Sequence, residues 1–252
     1  MQSEIKMINF FWSSSPQIKE WLPRLQSHRG YWLGGLPENT LRSIQKAVEL
    51  GYEMIEFDVR LTGDHRVVLF HNDGLDQKLI SRASLGELKS KIEINTLEEV
   101  LEWLSFSGKK NVKYNIELKA LSVFKYELEK EVVRLVQKFN LTKQIIVSCF
   151  NPLALARVRF FDSTIYRALL LTFEKHPKNK WYLKRILFNV FCKPHVLHLH
   201  HLDLHQLQLT RWSREVPIVL WTVNGNLNYL NDKVHGIISD EITPDIFNKR
   251  TF

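Results

Sequence analysis

The sequence predicts an α/β chain folded as a (β/α)8 TIM barrel, with a short insertion after the second strand unit. Three observations predict it. The length of 252 residues sits close to the ~250 typical of that barrel. Strand-like and helix-like segments alternate along nearly the whole chain, the pattern of parallel βα units. The main strands begin near positions 24, 54, 112, 145, 165, 196, 216 and 236. Eight strands with eight following helices favour a closed barrel over a doubly wound open sheet. No linker or low-complexity tract interrupts them, so residues 1–252 read as a single domain.

Each element has its own signal. Residues 16–22 read as a short amphipathic helix covering the bottom of the barrel. Residues 24–27 form the first strand, ending at His28-Arg29-Gly30. Thr40 caps a helix over 40–50, whose Leu41, Ile44, Ala47 and Val48 follow helical spacing, and Gly51 stands at its C′ position. Residues 54–61 alternate as a strand, Gly63-Asp64 turns the chain, and 67–70 return as a strand ending at His71. Residues 74–95 are polar and irregular, a short insertion. Thr96 and Glu99 form a capping box for a helix running to about 106. Strands follow over 112–118, 145–150, 165–171, 196–199, 216–223 and 236–239. Helices are expected over 122–139, from Pro152 at N1, over 178–191, 204–214 and 227–231, and from Pro244.

Composition narrows the partners. Hydrophobic residues make up 44% and charged residues 25%, enough for a sizeable core. The formal charge of +8 favours anionic partners, whether a phosphodiester, an acidic membrane surface or nucleic acid. A generally basic solvated surface is the plainer alternative. No Lys/Arg run is dense enough to read as a nucleic-acid arm, so nucleic acid is not expected. The two cysteines, Cys149 and Cys192, form no C-x-x-C pair. Residues 7–12 are too short a run for a signal peptide, and no stretch approaches a transmembrane span. A cytoplasmic protein is the simplest expectation. Peripheral membrane contact and the oligomeric state stay open.

Two stretches carry chemistry. Glu56 and Asp58 stand at i and i+2 on one strand and share a face, while Phe57 and Val59 face the helices. Asn115, Glu117 and Lys119 repeat the spacing on the next strand. Glu56, Asp58 and Glu117 then converge at one mouth, where adjacent carboxylates are tolerable around a cation. Oxygen-only ligands favour Mg²⁺ or Ca²⁺ over Zn²⁺. The alternative is an ion-pair network with Arg60 and Lys119. His28 and His71 each end a strand, on the face where barrel catalysis sits, and imidazole titrates near neutral pH. Arg29 can grip phosphate oxygens with its planar fork, and Lys119 can stabilise developing negative charge.

These residues resemble one family. His28-Arg29-Gly30, Pro37-Glu38-Asn39-Thr40, Ile55-Glu56-Phe57-Asp58-Val59, Leu61-Thr62 and His71 are similar to motifs of the glycerophosphodiester phosphodiesterases. So are Thr96 to Leu101, Asn115 to Lys119, Ser148-Cys149-Phe150, Trp221 to Asn224 and Gly236 to Asp240, in the same order, over about 26–248. The resemblance implies a TIM barrel and metal-dependent hydrolysis of a glycerophosphodiester to glycerol 3-phosphate and an alcohol. It matches His28 and His71 to the catalytic histidine pair, and Glu56, Asp58 and Glu117 to the metal ligands. It matches Arg29 and Lys119 to phosphate-contacting groups, Glu38 and Asn39 to a supporting loop, and Trp221 to an aromatic lining the mouth. Asn72 stands where the family usually has Asp, with Asp73 next. The short segment after His71 implies an open pocket that takes a larger, lipid-like group.

Other readings compete. His195, His198, His200, His201 and His205 invite a structural zinc site. Residues 175–191 mix lysines with aromatics, as a helix on an anionic membrane does, or as an ordinary barrel helix with an apolar stripe. A lysophospholipase D-like hydrolase of lysolipids, or one similar to sphingomyelinase D, is the nearest rival. A non-catalytic barrel that binds anionic lipid is the reading from another class.

Overall fold

The computed structural model describes residues 12, 13, 15, 17–120, 122, 124–174, 189–207, 216–225, 227, 228, 230 and 234–251. Its centre is a closed barrel of eight parallel strands. These are β1 (Leu25–Ser27), β2 (Met54–Leu61), β6 (Lys113–Leu118), β7 (Ile145–Cys149), β8 (Tyr166–Leu171), β9 (Val196–His200), β10 (Ile218–Trp221) and β11 (Val234–Ser239). Each pairs in parallel with its neighbours, and β1 closes the ring by pairing with both β11 and β2. A further strand, β3 (Val67–Leu69), runs antiparallel along the end of β2, with Val59 opposite Leu69.

Alternation along the strands sorts side chains between lumen and helix layer. Phe57, Val59, Ile116, Leu118, Val147 and Leu199 face outward into the main core, with Ile44, Val100 and Val132 from the surrounding helices. The lumen is closed from below by the short helix Ile18–Trp21, as its amphipathic pattern predicts. Its Ile18, with Leu22, packs on Met54, Ile146, Ala168, Val196, Val219 and Ile238, one residue from each of six strands. Above that layer the lumen turns polar, with Asn115 Nδ2 donating to Gln26 Oε1 at 3.2 Å.

The helix starts follow their caps. Thr40 Oγ1 accepts from Ser43 N at 3.2 Å and opens the helix Leu41–Glu49. Thr96 and Glu99 form the expected box, Glu99 N donating to Thr96 Oγ1 at 3.1 Å and Thr96 N to Glu99 Oε2 at 2.8 Å. Each such cap is worth ~1 kcal/mol. Pro152 stands at N1 of the helix Pro152–Phe161 behind Asn151, whose Oδ1 accepts from Leu153 N at 3.0 Å.

Several expectations change. The helix expected over 122–139 begins only at Glu127, because Ser122 Oγ accepts from Phe124 N and Lys125 N at 3.2 and 2.9 Å. That local turn competes with helix. The insertion is not irregular. It holds a small hairpin, β4 (Gly74–Leu75) with β5 (Lys78–Leu79), and a helix Leu85–Lys89. It has its own cluster of Ile80, Ala83, Leu88 and Ile94 on Val68. The expected strand 216–223 is confined to Ile218–Trp221. Of the expected helix 227–231, Leu227, Asn228 and Leu230 are described and are not helical. The helices expected over 178–191 and 204–214 fall largely outside the described residues. Their described parts are Asn189–Cys192 and Leu204–Leu207. No helix among the described residues is long and apolar enough to cross a membrane.

Candidate active site

The site is built where the strands end. Glu56 and Asp58 on β2 and Glu117 on β6 project into the lumen, Asp58 opposite Glu117 in the strand register. One oxygen from each lies within 4.8 Å of the others. All three are buried, Asp58 to 1% exposure. Burial and the neighbouring Asp58 push the Glu56 carboxyl up to about 8. Burial also favours neutral Asp58, but Lys119, His71 and Arg29 outweigh it and pull Asp58 down to about 2. Glu117 is raised, by burial before all else.

Lys119, two residues beyond Glu117, binds two of the three acids. Its Nζ lies 2.8 Å from Asp58 Oδ1 and bridges to Glu117 Oε1. The ion-pair reading therefore holds for Lys119. It does not hold for Arg60, which turns to Asp73 Oδ1 at 2.8 Å and donates to the His71 carbonyl at 2.6 Å.

The loop after β1 supplies the rest. Arg29 adopts φ 56° and Asn39 φ 55°, a left-handed conformation that costs of order 1–3 kcal/mol away from glycine and clusters at functional sites. The bend aims Arg29 N at Glu56 Oε2 at 2.8 Å. Arg29 NH1 donates to both Glu38 oxygens at 2.9 and 3.0 Å, and its Nε lies 3.4 Å from Asp58 Oδ2. Gly30, at φ 74°, follows because a Cβ there would stand 2.7 Å from the Ser43 carbonyl carbon. Asn39 grips Asp58 twice. Its Nδ2 donates to Asp58 Oδ2 at 2.9 Å, and its Oδ1 accepts from Asp58 N at 2.8 Å.

The donor set fits a hard divalent cation. Glu56 Oε1 is buried and has no hydrogen-bond partner, a costly state for a carboxyl oxygen. A cation among three carboxylates relieves both that orphaned oxygen and their mutual repulsion. The histidines do not assemble a zinc site. His195 precedes β9, which carries His198 and His200, and among the described residues Glu56, Asp58 and Glu117 are the group that can hold a metal. His198 lies wholly buried in the lumen, and burial drops it to about 3.

The histidines at the strand ends differ in their partners. His28 Nδ1 lies 2.7 Å from Asp240 Oδ1. Trp32 Nε1 and Asn224 Nδ2 also donate to Asp240, each at 3.2 Å. Burial opposes charge on His28, but Asp240 and Glu56 overcome it and raise its pKa. His71 Nδ1 lies 3.1 Å from Asn72 Oδ1. Burial and the Lys119 charge lower it. Trp221 ends β10, edge-on to Phe150 at 5.7 Å and 4.7 Å from the His200 ring.

Sequence reasoning left Asp240, Asn224 and Trp32 out of the site. Asp240 carried a signal, since it ends the last strand motif. Trp32 carried none.

Comparison with known proteins places the chain. Residues 28–243 match the Glycerophosphoryl diester phosphodiesterase family. A Glycerophosphodiester phosphodiesterase of Bacillus altitudinis is 30% identical over 183 residues, 66% of this chain and 73% of that protein. The matched stretches cover 67% and 60% of two further curated relatives. The glycerophosphodiester phosphodiesterase of Thermotoga maritima superposes with a TM-score of 0.70 at 26% identity, covering 90% of this chain and 98% of that one. A phosphodiesterase of Oleispira antarctica, solved with the product sn-glycerol-3-phosphate, gives 0.69 at 25% identity, covering 91% and 97%. A match over this much of the chain, with the barrel and its acidic mouth behind it, makes the chain a member of the glycerophosphoryl diester phosphodiesterase family.

Proposed function

We propose that the chain hydrolyses a glycerophosphodiester to glycerol 3-phosphate and an alcohol, with His71 as general base and His28 as general acid. The observation that carries this reading is the buried trio Glu56, Asp58 and Glu117, set beside two histidines whose pKa values are pushed apart. Titratable groups driven apart by their environments mark acid and base roles.

Glu56, Asp58 and Glu117 would hold Mg²⁺ or Ca²⁺, which when bound would polarise the phosphate and offset its charge. Asn39 fixes the Asp58 carboxylate by its two hydrogen bonds. Arg29, steadied by Glu38, and Lys119 bind phosphoryl oxygens. His71, neutral, takes the proton of the attacking water; where the neighbouring glycerol hydroxyl attacks instead, the alcohol leaves behind a cyclic phosphate that a water then opens to glycerol 3-phosphate. An ionised Asp240 only accepts, so His28 keeps its proton on Nδ1 and delivers another from Nε2 to the leaving alkoxide. Trp221 lines the mouth. Two free, buried cysteines, Cys149 and Cys192, suit a reducing, cytoplasmic setting.

The test is release of glycerol 3-phosphate from glycerophosphocholine, and of choline from lysophosphatidylcholine, with EDTA, Mg²⁺ or Ca²⁺, beside Glu56→Ala. Metal-dependent release from the first substrate, lost in the variant, is the expected result. Choline release from the lysolipid alone would move the chain to the lysophospholipase D reading. No turnover of either with metal bound would remove both.

A further inference from the structure

Ion pairing is uneven over the surface. On the flank carrying the helices Leu41–Glu49, Leu85–Lys89 and Glu127–Lys138, most exposed cations are matched, with Arg82 and Lys130 the exceptions among the described residues. Arg42 meets Glu93 at 3.0 Å, Lys78 meets Glu87 at 2.6 Å, and Lys138 meets Glu98 at 2.7 Å. The opposite holds at the N-terminal end of the barrel, the end away from the acidic mouth. Arg24 leads into β1, Lys109 and Lys110 into β6, Lys143 into β7 and Lys193 into β9, while Lys19 sits on the helix that plugs the lumen. None of these six makes an ion pair among the described residues. Glu53 lies near Lys113, Glu20 is exposed on the plug helix, Glu49 pairs with Lys46 and Asp162 follows Phe161, so the acids at this end are still outnumbered.

The segments form one surface. Trp21 Nε1 donates to the Lys143 carbonyl at 3.0 Å, Lys113 Nζ stands 5.5 Å over the Trp21 ring, and Gln144 Nε2 donates to the Lys109 carbonyl at 3.4 Å. Three large rings lie bare at the same end. Phe106 closes its helix at 82% exposure, Phe160 nearly closes its own at 85%, and Phe191 precedes β9 at 58%. Arg159 links the last two, donating to the Phe191 carbonyl at 2.9 Å.

We propose that this end of the barrel docks on an anionic lipid bilayer, holding the mouth toward the aqueous phase. Cations with no ion pair among the described residues, beside bare aromatic rings, suit the headgroup region of an acidic membrane. A second copy of the chain would bring like charges together. A nucleic-acid duplex would engage the cations and leave the rings in water. The inference does not depend on the reaction proposed above.

The test is cosedimentation of the full chain with vesicles of phosphatidylcholine alone and of equimolar phosphatidylcholine and phosphatidylglycerol. Binding is expected to the acidic vesicles only and to weaken with salt. The variant Lys109→Gln/Lys110→Gln/Lys143→Gln should lose about 100-fold in partitioning. The variant Phe106→Ser/Phe160→Ser should bind less tightly, with its salt dependence kept. Both should keep wild-type circular dichroism. Equal binding to the two vesicle types, wild-type binding by the lysine variant, or no binding at all would overturn the proposal. A dimer in sedimentation equilibrium that the same substitutions disrupt would overturn it in favour of a second copy. Duplex DNA binding as tight as vesicle binding would overturn it in favour of nucleic acid.

Discussion

His28 and His71 flank one acidic cluster, yet their surroundings drive them in opposite directions. Burial penalises charge on both. His28 answers to a carboxylate, Asp240, which Trp32 and Asn224 hold in place. His71 answers to an amide oxygen, Asn72 Oδ1, and faces the Lys119 charge. The carboxylate wins against burial and the amide does not. One residue type therefore ends up above its ordinary value at one corner and below it at the other. The partner, rather than the depth of burial, sets the two imidazoles apart.

The comparison can be broken most severely at the imidazoles. His28→Ala and His71→Ala should each lower turnover about 10²–10⁴-fold, the usual worth of a positioned acid or base, with the melting temperature little changed. Wild-type turnover in either would end the division of roles. Asn39→Ala tests what the two corners share. It removes both side-chain hydrogen bonds to Asp58, and a loss of about 10–100-fold in activity or metal affinity is expected, as for other partners behind a metal ligand. Titration calorimetry with Mg²⁺ and Ca²⁺ reads it directly.

Smaller changes sharpen the contrast. A general acid works while protonated, so activity holds up to the raised pKa of His28 and falls above it. A general base works while neutral, so activity rises through the lowered pKa of His71. The pH–rate profile should thus be a broad bell with limbs on either side of the ordinary imidazole value. Asn72→Asp, the smallest change, puts a carboxylate beside His71 and should move only the acidic limb, toward higher pH. A profile whose alkaline limb moved instead would reverse the two roles.

Where a period or a cap decided local structure, the sequence was legible. Two carboxylates at i and i+2 among outward Phe57 and Val59 could only share a face, and Thr96 with Glu99 could be read as a box. The (β/α)8 closure followed from counting strands. What was not legible depends on contacts between distant strands or on local competition. Asp240 reaches His28 across 212 residues, through the pairing of Ser27 with Ser239. Arg60 leaves the acidic cluster because the β2–β3 hairpin returns Asp73 and the His71 carbonyl to its side. Ser122 delays a helix whose apolar stripe alone would have started it earlier. The insertion conceals its core because Ile80, Ala83, Leu88 and Ile94 follow no single period.

The most direct measurement is the pH dependence of glycerol 3-phosphate release from glycerophosphocholine by the wild-type chain and by Asp240→Asn, with saturating metal. The account predicts that the variant's alkaline limb shifts to lower pH while the acidic limb stays, because only His28 loses its anionic partner. Superimposed profiles, or a shift of the acidic limb alone, would contradict it.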